Sequence, residues 1–252
     1  MSVLDNFIKA VGNEFSDDRL TYQKSIPTFH PETPDEAASF FKLADKLGQK
    51  LFITGFGNII NPEGELFENL VTIRTDRLNQ LTEVVAGDYY IIVGSGYPLK
   101  ELNIALKKHG FFLPHADLPY VGSVGGALAS GLSANYKGHK LPISRYFLKA
   151  DIAMPEGNLI RPGSGCFKSV SGFDIVRVFS PSWGLLGFIA NVWLRVLPLS
   201  EYPDYQDITM QPIDFNRFVR VYNDPGESAS AKYSLKIKSK FDPKNTLPLI
   251  AP

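Results

Sequence analysis

The sequence predicts an α+β fold built from two small lobes. Strand-type runs rich in Val, Ile and Tyr end in glycine turns, and amphipathic helical patterns lie between them without regular alternation. A hydrophobic content of 44% in a chain of 252 residues is enough to form a sizeable core. These features predict an ordinary soluble globular protein.

Charge and cysteine content narrow the range of partners. Lys+Arg and Asp+Glu both total 26, so no net field attracts nucleic acid or an anionic membrane. Cys166 is the only cysteine, which excludes an internal disulfide and a multi-thiolate metal site. The first residues lack a signal-peptide core, and no apolar run approaches the ~20 residues of a membrane span. We expect a cytoplasmic protein without nucleic-acid partners or direct membrane insertion, any membrane association being made through a partner.

The first predicted lobe covers residues 25–96 and follows a polar N-terminal lead of residues 1–24. Thr33 is the expected N-cap of a helix with Pro34 at its first position, and Gly48 ends that helix. The run KLFIT then predicts a strand that enters a glycine turn, and LVTIR, LTEVV and DYYIIVG predict further strands.

The second predicted lobe covers residues 97–200. It starts with the helix PLKELNIALKKHG, continues through a helix start made of small residues, and ends with the strand-type runs FLKADIAMP, GNLIRPG and FIANVWLRVLPL. Residues 201–231 predict a short connection, and residues 232–252 a last helix and tail.

Several glycine-bearing segments are candidates for ligand binding. Gly55 to Asn58 follow a strand directly, which suits an anion-binding turn of backbone N–H groups but equally a plain turn. The segment 122–131, in which six of ten residues are Gly or Ser, predicts either a bulky ligand close to the backbone or close helix-to-sheet packing. The segments 171–174 and 182–189 are further candidate turns. The segment Gly94-Ser95-Gly96 lacks the third glycine of a Rossmann fingerprint and predicts a tight strand-to-helix turn.

No metal site or catalytic triad is predicted. His30, His109, His115 and His139 lack metal-ligand spacing, and we interpret them as surface or loop residues. Cys166 has no neighbouring base in the sequence and is interpreted as an ordinary buried thiol.

Three segments in order resemble the FAD-binding domain of the vanillyl-alcohol oxidase and p-cresol methylhydroxylase superfamily (the PCMH type). They are ITGFGN, LPYVGSVGGALASG and FKSVSGFDIVRVFSPSWGLLGFIANVWLRVLPL. Within that superfamily the third segment is most similar to the smaller FAD-type subunit of multi-subunit glycolate oxidases, and the tail SLKIKSKFDP resembles the family's C-terminal helix. The resemblance implies a domain over residues 25–200 that holds FAD between its two lobes.

The resemblance also implies a set of cofactor-binding residues. The first loop would cradle the pyrophosphate through main-chain N–H groups, the second segment would line the flavin and pyrophosphate, and the third would lie beside the isoalloxazine or adenine. The implied positions are Gly55, Phe56, Gly57, Asn58, Ile59, Ser123, Val124, Gly125, Gly126, Ser130, Gly172, Gly187 and Ile189. Phe56 stands where many relatives carry Gly or the His that tethers flavin, so we expect non-covalent FAD.

The implied activity is that of an FAD-linked oxidase or dehydrogenase acting on a CH–OH group of a 2-hydroxy acid such as glycolate or lactate. The family's cap domain is missing from the short 201–231 connection, so we expect a subunit or minimal form with a flavoprotein or iron–sulfur partner. A non-catalytic FAD-binding structural subunit of an oxidase complex is the alternative. No catalytic base is assigned, although His115, Tyr136 and Arg145 lie near the implied flavin segments and are candidates.

Overall fold

A computed structural model describes residues 2–60, 62–164, 175–213 and 229–250. Two main sheets and two smaller ones make up the described fold. The helices are α1 (Val3–Glu14), α2 (Pro34–Leu47), α3 (Leu99–Lys107), α4 (Val124–Ser130) and α5 (Ala229–Phe241). The strands are β1 (Leu20–Gln23), β2 (Ile26–Phe29), β3 (Lys50–Thr54), β4 (Leu70–Arg74), β5 (Leu81–Val85), β6 (Tyr90–Gly94), β7 (Phe111–Phe112), β8 (Ser133–Tyr136), β9 (His139–Pro142), β10 (Phe147–Ala153), β11 (Leu159–Ile160), β12 (Phe188–Arg195), β13 (Leu197–Pro198) and β14 (Thr209–Met210).

The first sheet joins a hairpin to a parallel pair. Its order is β1-β2-β4-β3, with β1 and β2 antiparallel and with β4 parallel to both β2 and β3. Helix α2 connects β2 to β3, and its ends agree with the sequence: the Thr33 hydroxyl accepts from the N–H of Glu36 at 3.1 Å, and Gly48 takes the left-handed φ of 72°. Since β3 and β4 are parallel, Thr54 and Arg74 end side by side at the same edge of the sheet.

The N-terminal lead contains a helix that the sequence analysis did not identify. Ser2 and Asp5 form a capping box at the start of α1. Phe7 and Val11 are buried, and the Phe7 ring lies edge-on to Phe40 of α2 with 5.2 Å between ring centroids. The apolar spacing of Leu4, Phe7 and Val11 is the helical signal in this segment.

The second sheet is entirely antiparallel in the order β11-β10-β12-β6-β5. The structure differs from the sequence analysis here, because β5 and β6 belong to this sheet although they precede residue 96. The reason is packing: Ile91 and Val93 are fully buried in the core that β10, β12, α3 and α4 share. At Gly94 and Gly96 the chain passes close to the turn of residues 75–78. A Cβ on Gly94 would lie 2.1 Å from the carbonyl oxygen of Leu78, and a Cβ on Gly96 would lie 1.8 Å from that of Thr75.

The C-terminal residues close the edge of the first sheet. The N–H of Leu51 in β3 donates to the carbonyl of Thr246 at 2.8 Å. Asp242, which ends α5, accepts from the N–H groups of Thr246 and Leu247 and pairs with Lys238. Within the described ranges no helix is both long and apolar enough to cross a membrane.

Candidate functional site

One cleft collects the glycine-bearing segments. It encloses about 820 Å³ of space, counting open solvent at its mouth. Most of the positions implied by the sequence line it, namely Gly55, Phe56, Gly57, Asn58, Ile59, Ser123, Gly125, Gly126, Ser130, Gly187 and Ile189. Val124 is fully buried and does not line the cleft. Gly172 lies outside the described residues.

The first wall is the loop that follows β3. Gly57 adopts a φ of 77°, a conformation that favours glycine. The Asn58 side-chain amide donates to the carbonyl of Val121 at 2.9 Å, which ties this loop to the second segment. Among the described residues, no hydrogen-bond acceptor lies within reach of the backbone N–H groups of residues 56–59. Such a run of unpaired donors suits an anionic ligand.

The second wall is the start of α4. The Ser123 hydroxyl accepts from the N–H of Gly126 at 3.1 Å, and the N–H of Gly125 donates to the carbonyl of Ser95 at 2.7 Å. A Cβ on Gly125 would lie 2.7 Å from the Cβ of Ser95, so close packing explains this glycine. A Cβ on Gly126 would lie 2.9 Å from the Tyr120 hydroxyl, so this glycine also lets a neighbouring side chain pack closely. Gly126 also lines the cleft.

The third wall is the turn before β12. Trp183 and Gly184 have φ values of 52° and 77°, and the N–H groups of Ser182 and Trp183 both donate to the carbonyl of Ala129 in α4. A Cβ on Gly184 would lie 3.0 Å from Ile53 of β3. This turn therefore packs against α4 and β3, the elements that carry the other two walls.

The described side chains that line the cleft are uncharged at neutral pH. Tyr120 is the only ionisable side chain among the described residues that line it. Burial raises the pKa of Tyr120 to about 12, against the opposing effect of a hydrogen bond with Ser130. The phenol therefore stays protonated at neutral pH. The hydroxyls of Thr75 and Ser182 are buried, line the cleft and have no hydrogen-bond partner among the described residues, which leaves them available to a polar ligand.

The candidate catalytic residues do not meet in this cleft. His115 is fully buried, with Nε2 bonded to the Leu141 carbonyl at 2.9 Å. Arg145 is exposed, and the Tyr136 ring stacks on Tyr205 with 4.6 Å between centroids. None of the three candidates lines the cleft.

The prediction that all four histidines are surface or loop residues is wrong for two of them. His109 and His139 are exposed as expected, but His30 and His115 are buried, with exposed fractions of 6% and 0%. His30 is buried because both ring nitrogens have partners from other segments: Asp76 at 2.8 Å and Thr21 at 2.8 Å. No group of three or more potential metal ligands occurs in the described part of the chain. Cys166 lies outside it.

Sequence reasoning missed several residues of the cleft. Tyr120, Thr75, Ser182 and Trp183 all line it, although none of them is among the implied positions. Tyr120 stands two residues before the glycine-rich segment, and Ser182 and Trp183 begin the candidate turn 182–189, so nearness to the motifs was the available signal. Thr75 carries no such signal, because only the parallel pairing of β3 and β4 brings it beside Gly55.

Comparison with known proteins gives one family. The sequence model described as "FAD binding domain" matches residues 27–163. Among curated proteins, the chain is 27% identical over 188 residues to a D-lactate dehydrogenase of Archaeoglobus fulgidus, which covers 73% of this chain and 40% of that protein. It is 23% identical over 214 residues to a glycolate oxidase subunit of Bacillus subtilis (79% and 45%) and 30% identical over 106 residues to another of Escherichia coli (41% and 30%).

Solved structures of alkyldihydroxyacetonephosphate synthase share the fold. One superposes with a TM-score of 0.62 at 18% identity and covers 77% of this chain and 40% of that one. The chain spans about 40% of the length of the first curated relatives that it matches.

Proposed function

Because this chain belongs to the FAD binding domain family, we propose that it is the FAD-holding part of an oxidoreductase acting on the CH–OH group of a 2-hydroxy acid. Its α+β fold is of the PCMH type, and its cofactor is FAD. The substrate class follows the names of its relatives, which include D-lactate dehydrogenases and glycolate oxidase subunits. The observation that carries the proposal is the single cleft on which the glycine segments converge.

The residues of the cleft fit FAD. The unpaired N–H groups of residues 56–59 suit the pyrophosphate, and the buried hydroxyls of Thr75 and Ser182 suit the polar edge or ribityl chain of the cofactor. The apolar surface of Trp183 and Ile189 suits a flat ring. No His or Cys side chain lines the cleft in the described ranges, which supports non-covalent binding.

Bound FAD supplies the acceptor for the hydride that leaves the substrate carbon. The chain's own residues bind and orient the cofactor. With FAD bound, the first loop would hold the pyrophosphate, and α4 and the Trp183 turn would exclude water from the flavin ring. The protonated Tyr120 hydroxyl is a hydrogen-bond donor inside the cleft.

A second candidate is a non-catalytic FAD-binding subunit. It is favoured by the lack of any ionisable side chain except Tyr120 among the described residues of the cleft. Hydroxy-acid oxidation needs a group that accepts the hydroxyl proton. In this reading a partner subunit supplies that base. We propose a flavoprotein or iron–sulfur subunit as this partner. Two relatives are named as subunits of glycolate oxidase.

Two glycine substitutions of equal size test the cofactor site. Gly126→Leu places a side chain where even a Cβ meets the Tyr120 hydroxyl at 2.9 Å, and we expect it to raise the Kd for FAD by about tenfold or more. Gly87→Leu is the matched control, because Gly87 is exposed and nothing lies within 4 Å of an added Cβ. Equal affinity in both variants would place FAD elsewhere.

A substrate screen separates the two functions. The FAD-loaded protein is mixed under anaerobic conditions with D-lactate, L-lactate or glycolate while flavin absorbance is followed. Bleaching by one of these acids supports the oxidoreductase, with the stereoisomer of lactate as internal control. Bound FAD that none of them reduces supports the non-catalytic subunit.

A further inference from the structure

We propose that Arg74 is a positioning residue that orients the first loop for the cofactor pyrophosphate. This inference rests on the proposed function and assigns a role to a side chain outside the glycine segments. Arg74 ends β4 and lies opposite Thr54 in the parallel register, one residue before the loop begins. Its Nε donates to the carbonyl oxygen of Gly55 at 3.2 Å.

This one hydrogen bond fixes the direction of a peptide plane. A trans peptide points its C=O and N–H groups in opposite directions. With the Gly55 carbonyl directed at Arg74, the N–H of Phe56 points to the opposite side. That N–H is the first in the run over residues 56–59 without an acceptor among the described residues. Rotation of this plane would present a carbonyl oxygen instead of an N–H to an anion.

Arg74 is itself held in place by a chain of polar groups. Its side chain is 15% exposed, and its Nε lies 3.9 Å from the carboxylate of Asp76. The Nδ1 of His30 binds that carboxylate at 2.8 Å, and the Nε2 of His30 lies 2.8 Å from the Thr21 hydroxyl. The same Nε that donates to the Gly55 carbonyl therefore also has an acidic neighbour that is held by His30.

The carboxylate in this chain is ionised at neutral pH. Burial alone would raise the pKa of Asp76, but the hydrogen bond from His30 and the positive charge of Arg74 together hold it below its usual value. An ionised Asp76 places a negative charge 3.9 Å from the Nε of Arg74. The buried His30 contacts this carboxylate and is therefore connected to Arg74 through Asp76.

The direct test is Arg74→Met, with affinity for FAD and for ADP measured separately. ADP carries the pyrophosphate without the flavin. We expect the Kd values of both ligands to rise by the same factor, on the order of tenfold, which is the usual loss for one charge-assisted hydrogen bond. The visible circular dichroism of the FAD-saturated variant should equal that of the wild type, because the flavin environment is unchanged.

Arg77→Met is the matched control. Arg77 lies three residues further on and pairs with Asp18 and Glu32 at the surface, without a hydrogen bond to the loop. The Kd values of the Arg77→Met variant for FAD and ADP should stay within about twofold of the wild-type values, as is usual for loss of an exposed ion pair. If Arg74→Met does not fold, Arg74→Gln, which keeps a polar group at the sheet edge, takes its place with the same expectations.

Three outcomes overturn the inference. They are an unchanged Kd in the Arg74 variant, a rise for FAD without a rise for ADP, and an equal rise in the Arg77 control. In each of these the wild type still binds FAD, so the proposed function stands and only the role of Arg74 is lost. A wild-type protein that binds neither ligand overturns both.

Discussion

Acidification should destabilise this protein through one buried imidazole. His115 is fully buried and its pKa is lowered to about 4, because burial disfavours the charged ring more than the hydrogen bond to the Leu141 carbonyl favours it. Nδ1 of His115 has no partner among the described residues. The folded state therefore holds a neutral ring with its proton on Nε2.

The sign and size of the effect follow from proton linkage. Below a pH of about 6.5 the unfolded chain binds a proton at this histidine, whereas the folded chain does so only near pH 4. The unfolded state binds more protons over that interval, so stability falls as the pH falls through it. A difference of roughly 2.5 pKa units corresponds to about 3 kcal/mol of unfolding free energy.

Urea unfolding of the wild type and of His115→Gln, followed between pH 7 and pH 4, isolates this contribution. Glutamine can still donate to a carbonyl but does not titrate. The wild type should lose about 3 kcal/mol more than the variant over this range, with most of the loss below pH 6. His139→Gln, at an exposed position, is the control for loss of an imidazole. If the difference in unfolding free energy between the wild type and His115→Gln does not change with pH, the conclusion that the buried ring of His115 is neutral is refuted.

Three further substitutions and one control test the packing of the fold. Lys238→Met leaves the fully buried carboxylate of Asp242 without its cation, and we expect a loss of about 3 kcal/mol in urea unfolding; a loss below about 1 kcal/mol would contradict a buried pair. Phe40→Ala removes a fully buried ring and should cost about 3–5 kcal/mol, whereas an unchanged melting temperature would contradict its place in the core. Gly96→Ala places a Cβ 1.8 Å from a carbonyl oxygen and should cost about 3 kcal/mol or prevent folding. Gly12→Ala, in a helix with nothing within 4 Å, should stabilise by about 0.5–1 kcal/mol, and equal effects of the two glycine changes would contradict the close approach.

Local signals in the sequence were sufficient for most elements. The ends of α2 were predictable because Thr33, Pro34 and Gly48 each act within a few residues of their own position. Helix α1 has an equally clear local signal, because its buried residues Phe7 and Val11 are four positions apart and Ser2 caps its start. The assignment of β5 and β6 to the second sheet depends on pairing with β12, about a hundred residues later, which no local pattern encodes.

In the candidate site, too, some features were predictable from local sequence and others depend on residues far apart in the chain. The order of the glycine segments predicted a cofactor cleft, and most of the implied positions line it. The pairings that give individual residues their roles are not local: Gly125 packs on Ser95, Arg74 donates to Gly55, and His30 binds Asp76. The local sequence shows the partner of neither buried histidine, because Asp76 lies 46 residues after His30 and Leu141 lies 26 residues after His115. That is why the burial of His30 and His115 was missed.

The central claim is that this chain holds FAD without a covalent bond in the cleft of the three glycine segments. The most direct test is the visible absorption spectrum of the purified protein with added FAD, taken before and after acid precipitation. The account predicts a flavin spectrum that stays with the folded protein and leaves with the acid supernatant. Failure to bind FAD at any concentration would contradict it, and flavin that remains in the acid pellet would contradict the non-covalent attachment.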